Sequence, residues 1–529
     1  MNKILLILLF ALTAAVTYGQ RKPVEKPLSK EDISLAKKDA NAFFQMKRYA
    51  EARDLYQKLV KYESQNTDIN YRLGFCMLNS NCDKSKAVDY LEFAAQQKDS
   101  PKDTYHQLGL ANLHAGAYDA AVEAFEKYKA AMKGKPDPKL QTDLCTEWAY
   151  NAKTVTANPI TVSFENLGKL VNSPNNDYRP VASVDDSVVF FASTRKGNTG
   201  NVPDEFGEGG FTSDVYFFIQ YDTARTKPKN PGMNINTAGY EEPMCMSSDG
   251  DELYIYVETA EVPGDIMRST QKGKTWQKVE SLGELFTTKD AEMGAAISTD
   301  GSTLVFSSDR KDKTAKGGKD LYICKRQENG AWSTPVNMGA PVNTAADDDF
   351  PVFFADGKTL FYSSNCNKSI GGYDIFMTSR PDDNSDWSTP VNIGYPLNTV
   401  DDNKYISLLP DGKTGYISAV RDSGFGGLDI YKFRAEKPLV QSNLVVVKAY
   451  TIVAATGGTT KNARISITKK GTGKMAGEYF TNASTGGFVA VLAPGEYDVA
   501  IRTEKLGKFD AILEIPEGGG KVYKLFTLQ

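Results

Sequence analysis

Carboxylates that recur at intervals through the middle of the chain are the side chains best suited to binding or catalytic chemistry. They precede short apolar runs at Asp177, Glu241–Glu242, Asp290 with Glu292, Asp347–Asp349 and Asp401–Asp402. Gathered around one channel, they would attract a cation or a basic segment. Asp side chains also accept hydrogen bonds from nearby backbone N–H groups, so capping of turns and strand entries is the alternative interpretation.

Other catalytic chemistry has little support in the sequence. The only two histidines, His106 and His114, precede all of these carboxylates, and no nucleophile elbow follows them. A serine hydrolase would need both groups. The cysteines at 245, 324 and 366 lack the paired spacing of a zinc site, and no P-loop is present. We therefore expect no catalytic residue, no metal and no cofactor; a metal-dependent lactonase-like or lyase-like enzyme is the alternative.

A repeat in the middle of the chain positions the carboxylates. An Asp followed by two apolar or aromatic residues begins at Asp214, Asp265, Asp320, Asp374 and Asp429, at intervals of 51 to 55 residues. A period of roughly 50 strand-forming residues is typical of a β-propeller with one four-stranded blade per repeat. Asp-Gly pairs that begin at 249, 300, 356 and 411 predict the first hairpin turn of each blade, with both central residues at positive φ.

The sequence also indicates how the ring of blades closes. The fifth copy ends at 433 without the Trp-containing segment that follows the third and fourth copies. Residues 161–168 precede the first copy and resemble that missing segment. We therefore expect them to supply the outer strand of the last blade, which would leave no open sheet edge. This pattern predicts five blades, with six as the alternative.

Helical periodicity replaces strand alternation from Ser29 to about Val155. Small residues recur 34 and 35 residues apart at Ala40, Gly74 and Gly109, and large residues follow the same steps at Tyr56, Leu91 and Phe125. We expect the small residues to let paired helices approach and the large ones to fill the space between them. A further helix, opened by Asp137-Pro138 and carrying Leu140, Leu144 and Trp148, should seal the last repeat.

Alternating strands separated by glycine-bearing turns return after Pro438 and predict a small β-sandwich. The expected organisation is a multidomain α plus all-β protein. Its parts are a signal peptide at 1–19, an N-terminal linker at 20–28, helical repeats at 29–157, a propeller at 158–436, a linker at 437–442 and the sandwich at 443–529.

Charge and composition limit the classes of partner that the protein can bind. The formal net charge is −4 and no basic block is present, which argues against nucleic acid. Lys3, the apolar run 4–16 and the small residues up to 19 are typical of a secretory signal, so we expect export. No later run is long enough for a transmembrane span. Cys76 and Cys82 could pair in an oxidising compartment, with buried free thiols as the alternative.

Three parts of the chain resemble known families. The helical spacing, with Leu108-Gly109 and Tyr118-x-x-Ala121-x-x-x-Phe125, resembles tetratricopeptide repeats. The segments 356–364 and 371–376 resemble the PD40 class of WD40-like repeats of TolB-type proteins, and 485–497 resembles the carboxypeptidase regulatory-like (transthyretin-like) domain. The order of the three resembles PorE-type proteins of the bacterial envelope, associated with type IX secretion and gliding. An OmpA-like peptidoglycan-binding domain usually comes last there and does not follow here, so direct contact with peptidoglycan is not expected.

Two sets of candidate binding residues follow. The tetratricopeptide resemblance implies a peptide-binding groove; the positions concerned are Lys37, Tyr71 and His106, with Asn41 and Arg72 nearby. Ordinary solvated helix positions are the alternative. For the propeller, the residues expected at the channel mouth are Asp177, Glu242, Glu292, Asp349 and Asp402.

The function that the sequence favours is a non-enzymatic scaffold in the periplasm, associated with the outer membrane through envelope or secretion-system proteins. This hypothesis predicts stable partners and no turnover. The alternative is a module that binds a small ligand or glycan in the propeller channel.

Overall fold

The structure is a computed structural model and describes residues 27–528 except 205–209, 223, 260–261, 328, 423, 461–462, 483–484 and 504–505. The predicted signal peptide and most of the predicted N-terminal linker lie outside the described residues. Within these ranges the chain forms seven α-helices followed by 27 strands. No helix among them is long and apolar enough to span a bilayer.

The helices form three antiparallel pairs and a final helix. They are α1 Lys30–Gln45, α2 Tyr49–Leu59, α3 Thr67–Leu78, α4 Ala87–Ala95, α5 Thr104–His114, α6 Tyr118–Ala131 and α7 Thr142–Thr156. Each helix packs against the next one along the chain. Short 3-10 helices lie at Lys84–Lys86, Pro138–Leu140 and Thr199–Asn201.

The predicted alternation of small and large residues sets the distance between paired helices. A Cβ atom on Gly74 would lie 2.5 Å from Leu91 Cγ, and one on Gly109 would lie 2.4 Å from the Phe125 ring. Leu91 and Phe125 are fully buried, so only glycine permits this approach. The predicted packing of the large residues against the small ones is confirmed for these two pairs.

The last helix begins later than predicted. Asp137 caps only a 3-10 turn, in which its Oδ1 accepts a hydrogen bond from the Lys139 N–H. Gln141 then takes a left-handed conformation with φ 48°, and α7 starts at Thr142. The prediction that Asp137-Pro138 opens this helix was therefore wrong, because the left-handed residue Gln141 separates the 3-10 turn from α7.

Residues 162–435 form five sheets of three to five strands each. In chain order the strands are β1 Val162–Asn166, β2 Asp177–Ala182, β3 Val188–Ser193, β4 Asp214–Ile219, β5 Tyr240–Met246, β6 Glu252–Glu258, β7 Pro263–Lys272, β8 Thr275–Trp276, β9 Glu280–Ser281, β10 Glu292–Ile297, β11 Thr303–Ser308, β12 Asp320–Lys325, β13 Val336–Asn337, β14 Asp348–Phe353, β15 Thr359–Ser364, β16 Asp374–Ser379, β17 Val391–Asn392, β18 Ile406–Leu408, β19 Thr414–Ala419 and β20 Asp429–Ala435.

The five sheets surround one axis, which is the arrangement of a β-propeller. Their innermost strands are β2, β5, β10, β14 and β18, and residues of all five line a single cavity of about 90 Å³. Strand β2 contacts both β5 and β18, so the ring is continuous where its first and last sheets meet. The fifth sheet runs β1-β20-β19-β18, with Val162 opposite Ala435 and Asn166 opposite Tyr431. The predicted outer strand from residues 161–168 is confirmed.

The Asp-Gly turns differ in detail from the prediction. Gly250, Gly301, Gly357 and Gly412 have φ between 67° and 79°, whereas the preceding aspartates are not at positive φ. In each turn the Asp side chain accepts the N–H two residues later, as Asp356 does from Lys358 at 2.8 Å. The aspartate therefore caps the turn, and only the glycine supplies a left-handed residue.

The C-terminal part is a sandwich of two sheets. Its strands are β21 Val445–Val453, β22 Arg464–Lys469, β23 Lys474–Phe480, β24 Gly487–Leu492, β25 Gly495–Thr503, β26 Gly507–Ile515 and β27 Gly520–Leu528. One sheet has the order β24-β21-β27 and the other β23-β22-β25-β26. Buried Val447, Ile465, Phe488, Val499 and Phe526 belong to the core between them.

Candidate functional site at the propeller mouth

The carboxylate and amide side chains at the strand entries fall into three sets, and each set occupies a different position relative to the innermost strand. In the first set a side chain accepts the N–H of the residue four positions earlier. Ser173 N–H donates to Asp177, Thr237 N–H to Glu241, Thr344 N–H to Asp348 and Thr399 N–H to Asn403, while Thr288 bonds Glu292 through its hydroxyl. These side chains hold the loop that enters each sheet.

Asp177 and Glu292 therefore do not line the channel mouth as predicted. Both are fully buried, and each is paired with an arginine of its own sheet: Asp177 with Arg195 at 2.5 Å and Glu292 with Arg310 at 2.9 Å. The correction follows from register, because a shift of one residue along a strand turns the side chain to the opposite face. For these two residues the structure supports the capping alternative.

The second set joins neighbouring sheets. The oxygens of Asn176, Asp347 and Asp402 accept the backbone N–H groups of Leu428, Lys319 and Tyr373, respectively, at 2.9 to 3.1 Å. Each donor follows a Gly-Gly pair, and a Cβ atom on the second glycine would lie 1.9 to 2.2 Å from the accepting oxygen. The Gly-Gly pairs thus let the next sheet approach closely. Asp402 accepts the Tyr373 N–H of the neighbouring sheet and also forms an ion pair with Lys404 at 2.9 Å, at the rim of the mouth.

The third set comprises Glu242, which lines the mouth, and Asp349, which is fully buried against the neighbouring sheet and does not line the mouth as predicted. Glu242 accepts hydrogen bonds from the Tyr178 hydroxyl at 2.6 Å and from Arg179 Nη1 at 2.8 Å. Asp349 accepts one from the Ser307 hydroxyl at 2.5 Å and pairs with Lys319 at 2.8 Å. These carboxylates are neutralised by the protein's own cations, so they do not form an open anionic ring.

Arg179 crosses the axis and contacts all four other sheets. Its guanidinium bonds Glu242 and donates to the Met293 carbonyl at 2.7 Å. It also lies 5.2 Å from the centroid of the Phe350 ring and 5.6 Å from that of Tyr405, within the range of cation–π contacts. Only 5% of Arg179 is exposed. The side chain therefore plugs the channel and separates the mouth from the cavity on the opposite side.

Backbone strain accompanies this plug. Arg179 has φ 55° and Phe350 has φ 49°, and each lies where the innermost strand shifts register against the second strand. Left-handed non-glycine residues inside strands persist only when surrounding contacts impose them. The two bulges bring the guanidinium and the ring together at the axis.

Two connected cavities lie on the mouth side of Arg179, and we call them together the mouth cavity. The larger, of about 520 Å³, lies between the first and fifth sheets under residues 78–84 of the helical part. The smaller, of about 260 Å³, is lined by Arg179 and a group of aromatic residues. Both cavities include Tyr240, Glu242, Lys404 and Tyr405 in their walls.

The sequence matches no protein-family model and no curated protein. Among solved structures, TolB from Acinetobacter baumannii is 12% identical with a TM-score of 0.30, over 51% of this chain and 57% of that one. The putative TolB from Agrobacterium tumefaciens is 13% identical with a TM-score of 0.31, over 63% and 97%. An alpha-L-arabinofuranosidase from Lactobacillus brevis is 13% identical with a TM-score of 0.32, over 50% of this chain and 92% of that one.

This chain thus spans little more than half the length of the first of these structures. Likenesses of this size carry no argument about function. The pairing of its own strands identifies the propeller.

The roof of the mouth cavity is fixed by a junction between the helical part and the propeller. Asp401 lies 3.2 Å from Lys84 Nζ and 3.3 Å from His114 Nδ1. Burial alone would raise the pKa of Asp401, but the hydrogen bond from His114 and the charge of Lys84 hold that pKa well below its usual range. The carboxylate thus stays charged and holds both side chains of the helical part.

The α7 helix forms a second junction, which the sequence did not predict. Trp148 Nε1 donates to the Cys366 carbonyl at 2.8 Å, and Asn151 Nδ2 donates to the carbonyls of Asn367 and Ser369 at 2.7 and 2.9 Å. Ile370 of the same loop is buried among residues of α5, α6 and α7. Trp148 therefore docks on the propeller.

Four of the predicted groove residues bond other residues of the helical part, within a repeat or between consecutive repeats. Lys37 pairs with Glu63 at 2.5 Å, and the Tyr71 hydroxyl donates to Asp103 at 2.9 Å. Asn41 accepts hydrogen bonds from Tyr56 and Arg72 at 2.7 and 3.3 Å. Asn41 is exposed, whereas Lys37, Tyr71 and Arg72 are partly buried.

His106 does not belong to an exposed groove. Only 2% of it is exposed, its Nδ1 lies 3.2 Å from the Thr142 hydroxyl, and its ring packs against Phe125 and Tyr128. Burial lowers the pKa of His106 to about 4, so the ring is neutral at physiological pH. The prediction that it binds a peptide was wrong, because α7 covers this position.

The chemistry available at the mouth is therefore that of paired charges and aromatic surfaces. No group of three or more His, Cys, Asp or Glu side chains among the described residues could hold a metal ion. All six cysteines are free thiols, including Cys76 and Cys82. Arg179, Tyr178, Tyr240 and Tyr405 belong to no repeated motif, so the sequence did not predict them at the mouth.

Proposed function

We propose that this protein is a non-enzymatic scaffold of the bacterial envelope that holds partner proteins at a fixed separation. The observation that carries the proposal is that the helical part and the sandwich are each fixed to the propeller, on opposite faces. The helical part contacts the loops that enter the innermost strands and those that join the second and third strands. The sandwich contacts the hairpins between the first and second strands.

The junction of the sandwich has both polar and apolar parts. Lys448 forms an ion pair with Asp185, and Asn482 bonds Asp251. The Ser442 hydroxyl donates to the Pro410 carbonyl at 2.8 Å. Leu444 of the connecting segment packs against the core of the fourth and fifth sheets. Buried contacts of this kind fix the three parts relative to one another. A fixed arrangement suits a spacer better than an enzyme whose domains close over a substrate.

Exposed apolar side chains at both ends give such a scaffold surfaces for partners. In the helical part, Leu35 is 59% exposed and Met46 64%. In the sandwich, Tyr523 and Leu525 are 70% and 55% exposed, and Tyr450 lies opposite Leu525 on the neighbouring strand. Clustered exposed apolar residues commonly mark protein–protein contacts.

We further propose five blades for the propeller, tetratricopeptide-type repeats for the helical part and a carboxypeptidase regulatory-like sandwich. Five sheets around the axis and the closing strand β1 support the blade count. The resemblance of this domain order to PorE-type proteins supports placement in the periplasm at the outer membrane, within a type IX secretion or gliding-type complex. A peptide in the helical groove would then contact Asn41 and its neighbours.

Site-specific crosslinking in the native envelope tests the scaffold. A photo-crosslinking residue at Leu35 and, separately, at Tyr523 should each capture a distinct protein in stoichiometric yield. The exposed turn residue Asp382 is the control position and should capture none. A chain that yields no adduct at either site and stays freely soluble in the periplasmic fraction would refute the proposal.

A second candidate function is a module that binds a small ligand in the mouth cavity. The size of the larger cavity favours it, because sites of about 300 to 1,000 Å³ suit small molecules. Its aromatic walls and converging polar groups are typical of such sites.

A further inference from the structure

The chemistry of the mouth cavity identifies a class of ligand, and this inference rests on the second candidate function. The first observation is its charge balance. The walls carry five cations and five carboxylates: Lys84, Arg179, Lys319, Lys404 and Arg421 against Asp204, Glu242, Glu258, Asp401 and Asp402. Four of the cations form ion pairs at 2.8 to 3.2 Å, Arg179 with Glu242, Lys319 with Asp349, Lys404 with Asp402 and Lys84 with Asp401. The fifth, Arg421, packs on the Phe164 ring and donates to the Pro396 carbonyl. A charged ligand would upset this balance in a partly buried site, which is costly. The balance favours a neutral ligand.

The second observation is a concentration of aromatic side chains. Tyr178, Tyr240 and Tyr405 line the larger cavity, and Tyr256, Phe350 and Tyr373 line the smaller one. Tyr178 and Tyr405 have ring centroids 5.8 Å apart, and Tyr405 meets Phe350 edge to face at 4.8 Å. Tyrosine offers an apolar ring with a polar tip. The wall therefore fits a ligand with apolar faces and hydrogen-bonding edges.

The third observation is a buried hydroxyl that lacks a partner. Ser307, Ser363 and Ser418 occupy the same position in the second strands of three sheets, opposite the residue after the repeated aspartate. Ser307 donates to Asp349 and Ser363 to the Lys404 carbonyl, each on the next sheet, at 2.5 and 2.6 Å.

Ser418, unlike Ser307 and Ser363, does not donate to any described residue of the next sheet. It lines the larger cavity and is 5% exposed, and its hydroxyl has no hydrogen-bond partner among the described residues. A buried polar group without a partner costs about 1 to 3 kcal/mol, so its retention calls for a reason. A ligand at the seam of the first and fifth sheets would supply the missing partner.

We propose that the mouth cavity binds a neutral saccharide of two or three sugar units. The C–H faces of a sugar ring pack on tyrosine rings, and its hydroxyls donate to carboxylates and accept from ammonium and hydroxyl groups. These are the groups that the wall presents in pairs. Ser418 contacts the saccharide directly, and Arg179 forms the floor of the site.

Calorimetric titration of the full chain tests the proposal. The probes are maltotriose, xylotriose and chitotriose, with trigalacturonate and a blocked tripeptide as the charged and peptide alternatives. At least one neutral trisaccharide should bind with 1:1 stoichiometry. Ser418→Ala should weaken that binding by about 3- to 10-fold, the effect of one hydrogen bond, without lowering Tm. Ser307→Ala is the matched control; it should lower Tm and leave the affinity within about twofold.

The outcomes separate this inference from the function on which it rests. Binding of trigalacturonate or the tripeptide without any neutral trisaccharide would overturn the saccharide and leave a ligand-binding module. No binding of any probe would overturn both. Equal loss of affinity in Ser418→Ala and Ser307→Ala would show that Ser418 acts only through the fold, which contradicts direct contact.

Discussion

Arg179 and Glu242 form an ion pair across the propeller axis, with Nη1 of the arginine 2.8 Å from Oε2 of the glutamate. The side chains are 6% and 15% exposed. Because the same guanidinium reaches Met293, Phe350 and Tyr405, one residue of the first sheet contacts the other four. The sheets are thus joined at the centre of the ring as well as through their shared faces.

Replacing Arg179 should destabilise the propeller strongly. Arg179→Met leaves Glu242 buried without its cation, and loss of one partner of a buried pair costs about 3 to 5 kcal/mol. Urea unfolding measures the change in the free energy of unfolding. The double variant Arg179→Met/Glu242→Gln should recover part of the loss, since it removes the unpaired charge.

A partly exposed pair provides the comparison. Arg268 lies 3.0 Å from Glu252, and their side chains are 31% and 21% exposed. Arg268→Met should cost less than about 1 kcal/mol, as is usual for solvent-accessible pairs. An Arg179→Met variant no less stable than Arg268→Met would contradict the central role of Arg179.

Asp348 should make stability depend on pH. Burial raises the pKa of this carboxyl from 3.8 to about 7. Between about pH 4 and 7 the unfolded chain has released the proton and the folded chain still holds it, so rising pH favours unfolding. This group contributes a fall of about 1.4 kcal/mol per pH unit in the free energy of unfolding over that window. Asp348→Asn should remove this contribution, whereas those of Glu241 and Asp251, whose pKa values burial also raises, remain.

The fifth sheet has an asparagine, Asn403, at the position that Asp348 occupies in the fourth sheet. Asn403 accepts the Thr399 N–H at 2.6 Å, as Asp348 accepts the Thr344 N–H at 2.6 Å. Asp177→Asn is the control at the same position of the first sheet; because it deprives Arg195 of its carboxylate, it should destabilise the fold instead. An Asp348→Asn variant that keeps the wild-type slope would exclude Asp348 as its source. Unfolding curves at several pH values decide this.

The sequence predicted those features that recur or that depend on residue size. The period of the repeated aspartate predicted the sheets, and the segment 161–168 predicted the strand that completes the last one. Gly74 and Gly109 were predicted to receive large side chains, because small residues at a fixed helical spacing leave room between paired helices.

The site was harder to predict, for physical reasons. Glu241 and Glu242 are neighbours, yet one caps a loop and the other faces the axis. Choosing between them requires the register of the strand, which composition does not give. Arg179 reaches the axis through a register shift at a left-handed residue, and such a bulge has no signal when the residue is not glycine.

The Gly-Gly pairs should be intolerant of any side chain. A Cβ atom on Gly371 would lie 2.1 Å from the Val400 carbonyl oxygen, which belongs to the backbone of the next sheet and cannot rotate away. Gly371→Ala should therefore cost at least about 3 kcal/mol, the upper end of overpacking effects. Thermal and urea unfolding would measure this loss in the free energy of unfolding.

A turn glycine serves as the comparison for Gly371. Gly357 has φ 67° and open space around its Cα, so Gly357→Ala adds only backbone strain of about 1 to 2 kcal/mol. Equal costs for the two variants would show that the sheets do not approach as closely as described.

The helical part should separate from the propeller when Asp401 loses its charge. In Asp401→Asn the carboxylate that holds Lys84 and His114 becomes a neutral amide, so the junction opens more often. Cleavage in the connecting segment 157–161 should then be about fivefold faster, because proteolysis follows the population of the open form. Asp119→Asn, at an exposed pair with Lys153, should leave the rate unchanged. If both variants are cleaved at the wild-type rate, Trp148 and Asn151 suffice to fix the helical part, and the scaffold does not depend on Asp401.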